Sequence, residues 1–421
     1  MKYLLITKFN VNHFLFLSYL VLTFIFKLIG YYINSTDDIS ATFHSYYIAS
    51  LSDFLSIIPF LIIKIRSQSS RVSDIKRINT QKSYNSELLI YNDISIDNSN
   101  KRGTKFFKLL FICSVFDFAA QYINVIFSII IKTSNYPFKE FNLNFVLIIH
   151  IIVQYLLSYI ILHYRFYKHH YFSLFINLIF LIALVILDII QIKKTDISGI
   201  SLFVFILIKI LAIIFYSVED TIAKIILTYN SISPYIFLFC RAFIVNLLVL
   251  IFSVIFIFVY LPDEKGENSC VFTRFWKLYE DKTNIICYIF LLIESYLYNL
   301  NIFFVIDKFS SNHLAMTTII GHFGYLLYSF IIPKDIDIKE FFPRVILYII
   351  LIIAASIHNE FIVLKFCKLE RQTKLFLEIE AENDRKQTEL DIGINENNDI
   401  LDISEQEKEG IDIELVKVLD N

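Results

Sequence analysis

Apolar runs of about 20 residues recur along this chain, and each is long enough to cross the hydrocarbon core of a bilayer. They fall at 13–33, 46–63, 106–131, 143–163, 171–191, 200–228, 234–261, 284–306, 312–332 and 342–364. Inside lipid every backbone N–H and C=O must be satisfied within the protein, so such runs fold as helices. Hydrophobic residues make up 56% of the chain, and the mean hydropathy is +0.61. Both values exclude an ordinary soluble globule. The expected fold class is an all-α integral membrane protein with about ten transmembrane helices. Ten spans divide into five and five, and an odd number per half gives the halves opposite orientations. The reading is therefore two inverted five-helix repeats, 11–191 and 192–365, after a short N-terminus at 1–10.

The net charge of −2 says little, but its distribution orients the chain. The loop 64–105 holds Lys64, Arg66, Arg71, Lys76, Arg77, Lys82, Lys101, Arg102 and Lys105, and is rich in Ser, Asn and Asp. It reads as a disordered cytoplasmic loop. Asp37 and Asp38 mark a turn on the opposite side. Both termini are then cytoplasmic. The tail 366–421 is acidic and reads as disordered from about residue 383. The first run is too long for a signal peptide and lacks a small-residue cleavage site. Asn34-Ser35-Thr36 matches a glycosylation sequon but abuts the helix end, so it is expected to stay unused. The five cysteines are scattered without a C-x-x-C pair, which points to neither a disulfide framework nor a zinc site. There is no P-loop, no Gly-x-Ser-x-Gly and no dinucleotide fingerprint, so the chain reads as no enzyme, needing no cofactor and binding no nucleic acid.

The informative residues are the charges inside the spans, because ionisable groups there are costly and mark a partner, a pore or a substrate. They concentrate in the hairpin 216–243, where Ser233-Pro234 supplies a helix start. Asp220 and Lys224 are spaced i,i+4 and can pair along one helix. Arg241 lies about two turns inside its span, too deep to snorkel comfortably. Its partner is Glu219, Asp220 or Glu294, or else a substrate phosphate or carboxylate, which a guanidinium suits. Asp117 and Glu294 each lie about eleven residues into spans three and eight, near mid-membrane. Asp53 and Arg241 lie about eight residues into spans two and seven. Such matched depths are what an inverted repeat produces. Asp117 and Glu294 suit proton coupling or hydrogen bonding to a polar solute, and the competing reading is interhelical glue, with Lys209 able to neutralise either. Gln121 and Asn299 are ordinary interhelical hydrogen-bond formers, and His322, beside Gly321 and Gly324, is a candidate cavity residue. The stretch His163 to His170 resembles a membrane desaturase box. A di-iron site needs several boxes at one depth, and the other histidines are isolated, so Arg165, Lys168, His169 and His170 read as a cytoplasmic turn.

With these residues in view, the chain resembles the drug/metabolite transporter superfamily, in its EamA-like and nucleotide-sugar-transporter-like branch. The likeness rests on Ser217-Val218-Glu219-Asp220-Thr221-Ile222-Ala223-Lys224 with Ser233-Pro234-Tyr235, and on Asp117-Phe118-Ala119-Ala120-Gln121. It rests also on Asn312-His313-Leu314-Ala315 and on Ile357-His358-Asn359-Glu360-Phe361 with Cys367 and Leu369. Few glycines and prolines lie inside the spans, which departs from that branch. The resemblance implies ten spans, inverted repeats and transport of a small organic solute by alternating access, with no catalytic residues. The expected substrate-binding residues are Asp117, Gln121, Arg241, Glu294 and His322. The expected partners are a small-molecule solute and the lipid bilayer, with proton coupling and a homodimer as open options. The rival reading is a receptor or scaffold that kept a transporter-like fold and docks partners through the basic loop and acidic tail.

Overall fold

A computed structural model describes residues 4–6, 11–34, 39–69, 99–133, 144–164, 166–192, 199–229, 232–257, 260–262, 268–270, 282–331 and 338–364. Most of the basic loop, most of the sequon, Arg165, most of the stretch 262–283 and the tail with Cys367 and Leu369 lie outside these residues. The described chain is nearly all helix. In order it runs β1 (Leu4–Ile6), α1 (Val11–Asn34), α2 (Ile39–Ser52), a 3-10 turn (Asp53–Ser56), α3 (Ile57–Ser69), α4 (Ser99–Thr133), α5 (Asn144–Ile160), α6 (Lys168–Ile192) and α7 (Gly199–Tyr229). It continues with α8 (Pro234–Ile257), β2 (Tyr260–Pro262), β3 (Asn268–Cys270), α9 (Lys282–Lys308), α10 (Ser311–Ile331), α11 (Ile338–His358) and β4 (Ile362–Leu364).

Each apolar run is helical over most of its length. Among the described residues, seven stretches are long and apolar enough to cross a membrane: Ser45–Lys64, Lys105–Ile126, Lys168–Ile190, Pro234–Val254, Asn284–Lys308, Ser311–Ile331 and Ile338–His358. Phe14–Phe26 and Asn144–Ile160 are shorter apolar helices. The surface is arranged for lipid. On α8, Phe243, Leu247, Leu250, Ile251 and Val254 face outward at helical spacing, while Arg241, Ala242 and Val245 are buried. On α6, Phe175, Ile179, Ile182 and Ile186 face outward, while Asn177, Leu181, Leu184 and Asp188 are buried. Apolar outside with polar inside is the reverse of a water-soluble helix. The chain is a multi-pass membrane protein.

Two boundaries differ from the sequence expectation. The second span is not one helix. It breaks at Asp53–Ser56, where Ile57 N–H turns to Phe54 O in a 3-10 bond. Pro59 explains the break, since it has no N–H to offer the Leu55 carbonyl and its ring crowds that turn. The last span stops at His358 rather than at residue 364. Phe361 N–H donates to Ser356 O at 2.8 Å and Glu360 N–H to Ile357 O at 3.2 Å, with Glu360 at φ 59°. This is a left-handed helix stop that satisfies the last carbonyls. The chain then pairs antiparallel with the N-terminus, Leu4 opposite Leu364 and Ile6 opposite Ile362. Residues 4–6 are thus a strand, not a free end.

Helix α4 packs along α7, α6 along α11, and α1 lies between α9 and α10. One apolar core joins α1, α4, α7, α8 and α9 through Phe16, Tyr19, Leu110, Phe237 and Phe303. A second joins α5, α6, α10 and α11 through Ile151, Leu181, Leu184, Met316 and Tyr348. The α1–α10 contact depends on two glycines. A Cβ on Gly321 would stand 2.9 Å from Tyr19 Cε1, and one on Gly324 would stand 3.2 Å from the Leu20 carbonyl oxygen. Small residues of this kind let membrane helices approach closely. Gly324→Val is expected to cost about 1–3 kcal/mol by overpacking against backbone that cannot yield. Thermal melting in detergent checks this, and an unchanged midpoint would show that the two helices separate freely.

Candidate functional site

The buried ionisable groups converge on Arg241. Four helical segments carry the residues that meet there with it. On α4, inward positions recur every three or four residues: Leu110, Cys113, Ser114, Asp117 and Ala120 are all buried. Helix α7 brings Glu219, and α9 brings Asn299 and Phe303. The 3-10 turn brings Asp53. Asp53 and Ser56, three residues apart, share one face of this turn and are both buried.

Arg241 Nη2 donates to Asp53 Oδ2 at 2.6 Å, and Nη1 donates to Glu219 Oε1 at 2.5 Å. Asp117 Oδ2 lies 3.5 Å from Nη1, within ion-pair range but without a hydrogen bond. Asp117 Oδ1 accepts from Gln121 Nε2 at 2.6 Å, and Asp53 Oδ1 accepts from Asn299 Nδ2 at 2.8 Å. The Phe303 ring closes one face of the guanidinium, 4.6 Å from its carbon to the ring centroid. Arg241 is 3% exposed, Asp53 3%, Glu219 3% and Asp117 2%, so no bulk water screens the group. Asp220 adds a further carboxylate within electrostatic reach of Arg241 and Asp117, and His150 Nε2 lies 4.0 Å from it.

Of the five residues expected from sequence, the structure brings Asp117, Gln121 and Arg241 together. It does not bring Glu294 to Asp117. Glu294 is buried on α9 and both its carboxylate oxygens lack a hydrogen-bond partner among the described residues. His322 is half-buried on α10, and none of the bonds of Arg241 reaches it. Lys209 Nζ donates to Asn124 Oδ1 at 2.8 Å. Lys224 Nζ donates to Asp307 O at 2.9 Å. Asp53, Asn299 and Phe303 are members that sequence reasoning did not place in the site, and Glu219 was expected only as one of three alternative partners of Arg241. The signal for Asp53 was available: an acid six residues before a proline, inside a span. Two surface pockets of about 660 and 560 Å³ lie elsewhere, one lined by Tyr159, His163, Tyr164 and Phe166, the other by Phe107, Phe111 and Ile244.

A second buried pair was also missed. Arg344 Nη1 on α11 donates to Asp188 Oδ1 on α6 at 2.6 Å. Asp188 Oδ2 accepts from Asn144 N and Nδ2 at 3.1 and 2.8 Å, and Tyr348 Oη donates to Asn144 Oδ1 at 2.5 Å. Among the described residues one base here meets one acid, and both oxygens of the Asp188 carboxylate are occupied, which describes a structural lock. Around Arg241, by contrast, acids outnumber the base. No protein-family model matches the chain, and no curated protein matches it.

Proposed function

We propose that this chain is a secondary transporter of a small polar solute, with the Arg241 cluster at its working centre. One observation carries the reading: three buried carboxylates face a single guanidinium. With all four ionised, two negative charges would go uncompensated away from water, and an unpaired buried charge costs several kcal/mol. The cluster is therefore built to take up positive charge, as a proton or as the cationic group of a solute. Arg241 already gives Nη1 and Nη2 to Glu219 and Asp53, and its Nε has no hydrogen-bond partner among the described residues. Its role becomes that of an organiser of acids rather than an anion receptor.

The location supports the same reading. Asp53 and Asp117 come from residues 11–191, and Glu219, Arg241 and Asn299 from residues 192–365. A cluster that spans two halves and sits at a broken helix is where alternating-access carriers hold substrate and coupling ion. Asp53 and Arg241, matched in depth on spans two and seven, are joined directly at 2.6 Å. The β1–β4 ribbon puts residues 4–6 beside 362–364, which supports an even number of crossings and termini on one side. Ten spans in two inverted halves, and kinship with the drug/metabolite transporters through Glu219, Asp220 and Asp117, belong to this proposal.

The test is uptake into proteoliposomes of a labelled panel of amino acids, polyamines and choline, with and without an imposed pH gradient. Wild-type protein should move at least one cationic or zwitterionic member. Glu219→Gln and Asp117→Asn should abolish the gradient-driven component while the protein still folds by circular dichroism. A wild type that moves no panel member, or variants that transport as the wild type does, would end the reading.

A further inference from the structure

We propose that His170, His313 and His358 form a binding site for a divalent transition metal of the zinc class. The three come from the start of α6, the start of α10 and the end of α11, and all are buried. Each offers one ring nitrogen such that these atoms lie within 4.8 Å of one another. The ring centroids of His170 and His358 are 4.6 Å apart, and those of His313 and His358 are 5.0 Å apart. His169 and Glu360 flank the trio, with His169 Nε2 3.3 Å from Glu360 Oε1, and form a second potential ligand group that shares His170. His169 and His170, read from sequence as part of a cytoplasmic turn, are instead buried in the first turn of α6. His163 from the same stretch is exposed, and the histidines that complete the group are ones that looked isolated along the chain.

The hydrogen bonds around His358 prepare it as a ligand. Ser173 Oγ donates its proton to His170 O at 2.9 Å, so toward His358 Nδ1, 3.2 Å away, it can only accept. In the tautomer with the ring proton on Nδ1, Ser173 Oγ and Tyr155 Oη, 2.9 Å away, both accept from it. The lone pair is left on Nε2, and that atom is buried with no hydrogen-bond partner. A hydroxyl fixing the far nitrogen of a buried imidazole is how metal ligands are oriented. His313 is held similarly, its Nδ1 2.7 Å from Ser310 Oγ. His170 has a competing bond, since its Nδ1 accepts Tyr167 N–H at 3.1 Å. Coordination through Nε2 moves the ring proton to Nδ1 and gives that bond up. Three imidazoles suit zinc, copper or nickel and do not suit magnesium or calcium, which require oxygen. Three ligands leave a fourth tetrahedral position for water or a solute group. Because α6 precedes residue 192 and α10 and α11 follow it, a bound ion would tie the two parts of the bundle at this end.

The experiment uses the full chain, purified in detergent through a tag without histidines and stripped with chelator. Zn²⁺ is titrated against a chromophoric chelator, and Co²⁺ serves as the spectroscopic probe. The expected result is one tightly held Zn²⁺ per chain, with intense four-coordinate Co²⁺ bands and no thiolate charge-transfer band. His313→Gln and His358→Gln should each weaken binding by about 10-fold or more, and Ser173→Ala by about 10-fold through the lost orientation of His358. Zn²⁺ should raise the melting temperature of wild type but not of His358→Gln, and exposed His163→Gln should bind as wild type. If the Gln variants do not fold, Ser173→Ala decides. Zn²⁺ binding that none of these changes weakens, or only weak six-coordinate Co²⁺ spectra, would overturn the proposal.

Discussion

Arg241→Met is expected to cost the fold about 3–5 kcal/mol, because it strands buried carboxylates without the cation that pairs them among the described residues. Asp53 would keep Asn299 and Asp117 would keep Gln121, but Glu219 would lose the side-chain donor that Arg241 gives it. Neutralising an acid should have a different outcome. Asp117→Asn removes the longest of the three contacts, 3.5 Å, and reduces the negative excess, so its stability should stay within about 1 kcal/mol of wild type. The double change Arg241→Met with Asp117→Asn should recover only part of the loss, since two acids remain. Thermal melting followed by helical circular dichroism reads all three. An Arg241→Met protein that melts within a few degrees of wild type would show that the acids are not ionised together around that cation.

Arg344→Met is expected to cost about 3–5 kcal/mol by itself, for the same reason applied to Asp188. The double variant should behave oppositely to the one above. Arg344→Met with Asp188→Asn removes one charge of each sign, and the new amide oxygen still accepts from Asn144. Most of the lost stability should return, with a coupling energy of about 1–3 kcal/mol in the mutant cycle. The contrast between the two sites follows from the ion pairs among the described residues: one acid to one base here, three acids to one base at Arg241. Equal recovery at both sites would remove the distinction between a structural lock and a working cluster.

The amino-acid sequence alone determined the membrane class, the place of each apolar run and the set of charges that had to be hidden. These are local properties. A run of about 20 apolar residues forms a helix in lipid whatever its neighbours are. A carboxylate in mid-run must face inward because lipid cannot solvate it. Asp117, Arg241 and Glu294 were legible as buried on that ground, and all three are. Asp53 and Arg241 each lie about eight residues into an apolar run, and the two side chains meet at 2.6 Å.

Only the tertiary structure decided who meets whom. Partnership depends on how each helix is rotated about its axis and which helices are adjacent, and neither is written in the hydropathy of one segment. Asp117 and Glu294 share a depth, yet only Asp117 reaches Arg241. Lys224 was spaced to pair with Asp220 along its own helix, yet its Nζ also donates across to the carbonyl of Asp307 on α9. The 3-10 turn that presents Asp53 arises from Pro59, but its consequence depends on α8 standing beside it. The histidine group is the clearest case. Tyr155 and His358 are 203 positions apart in the chain and 2.9 Å apart in space, and no periodicity within either segment encodes that distance.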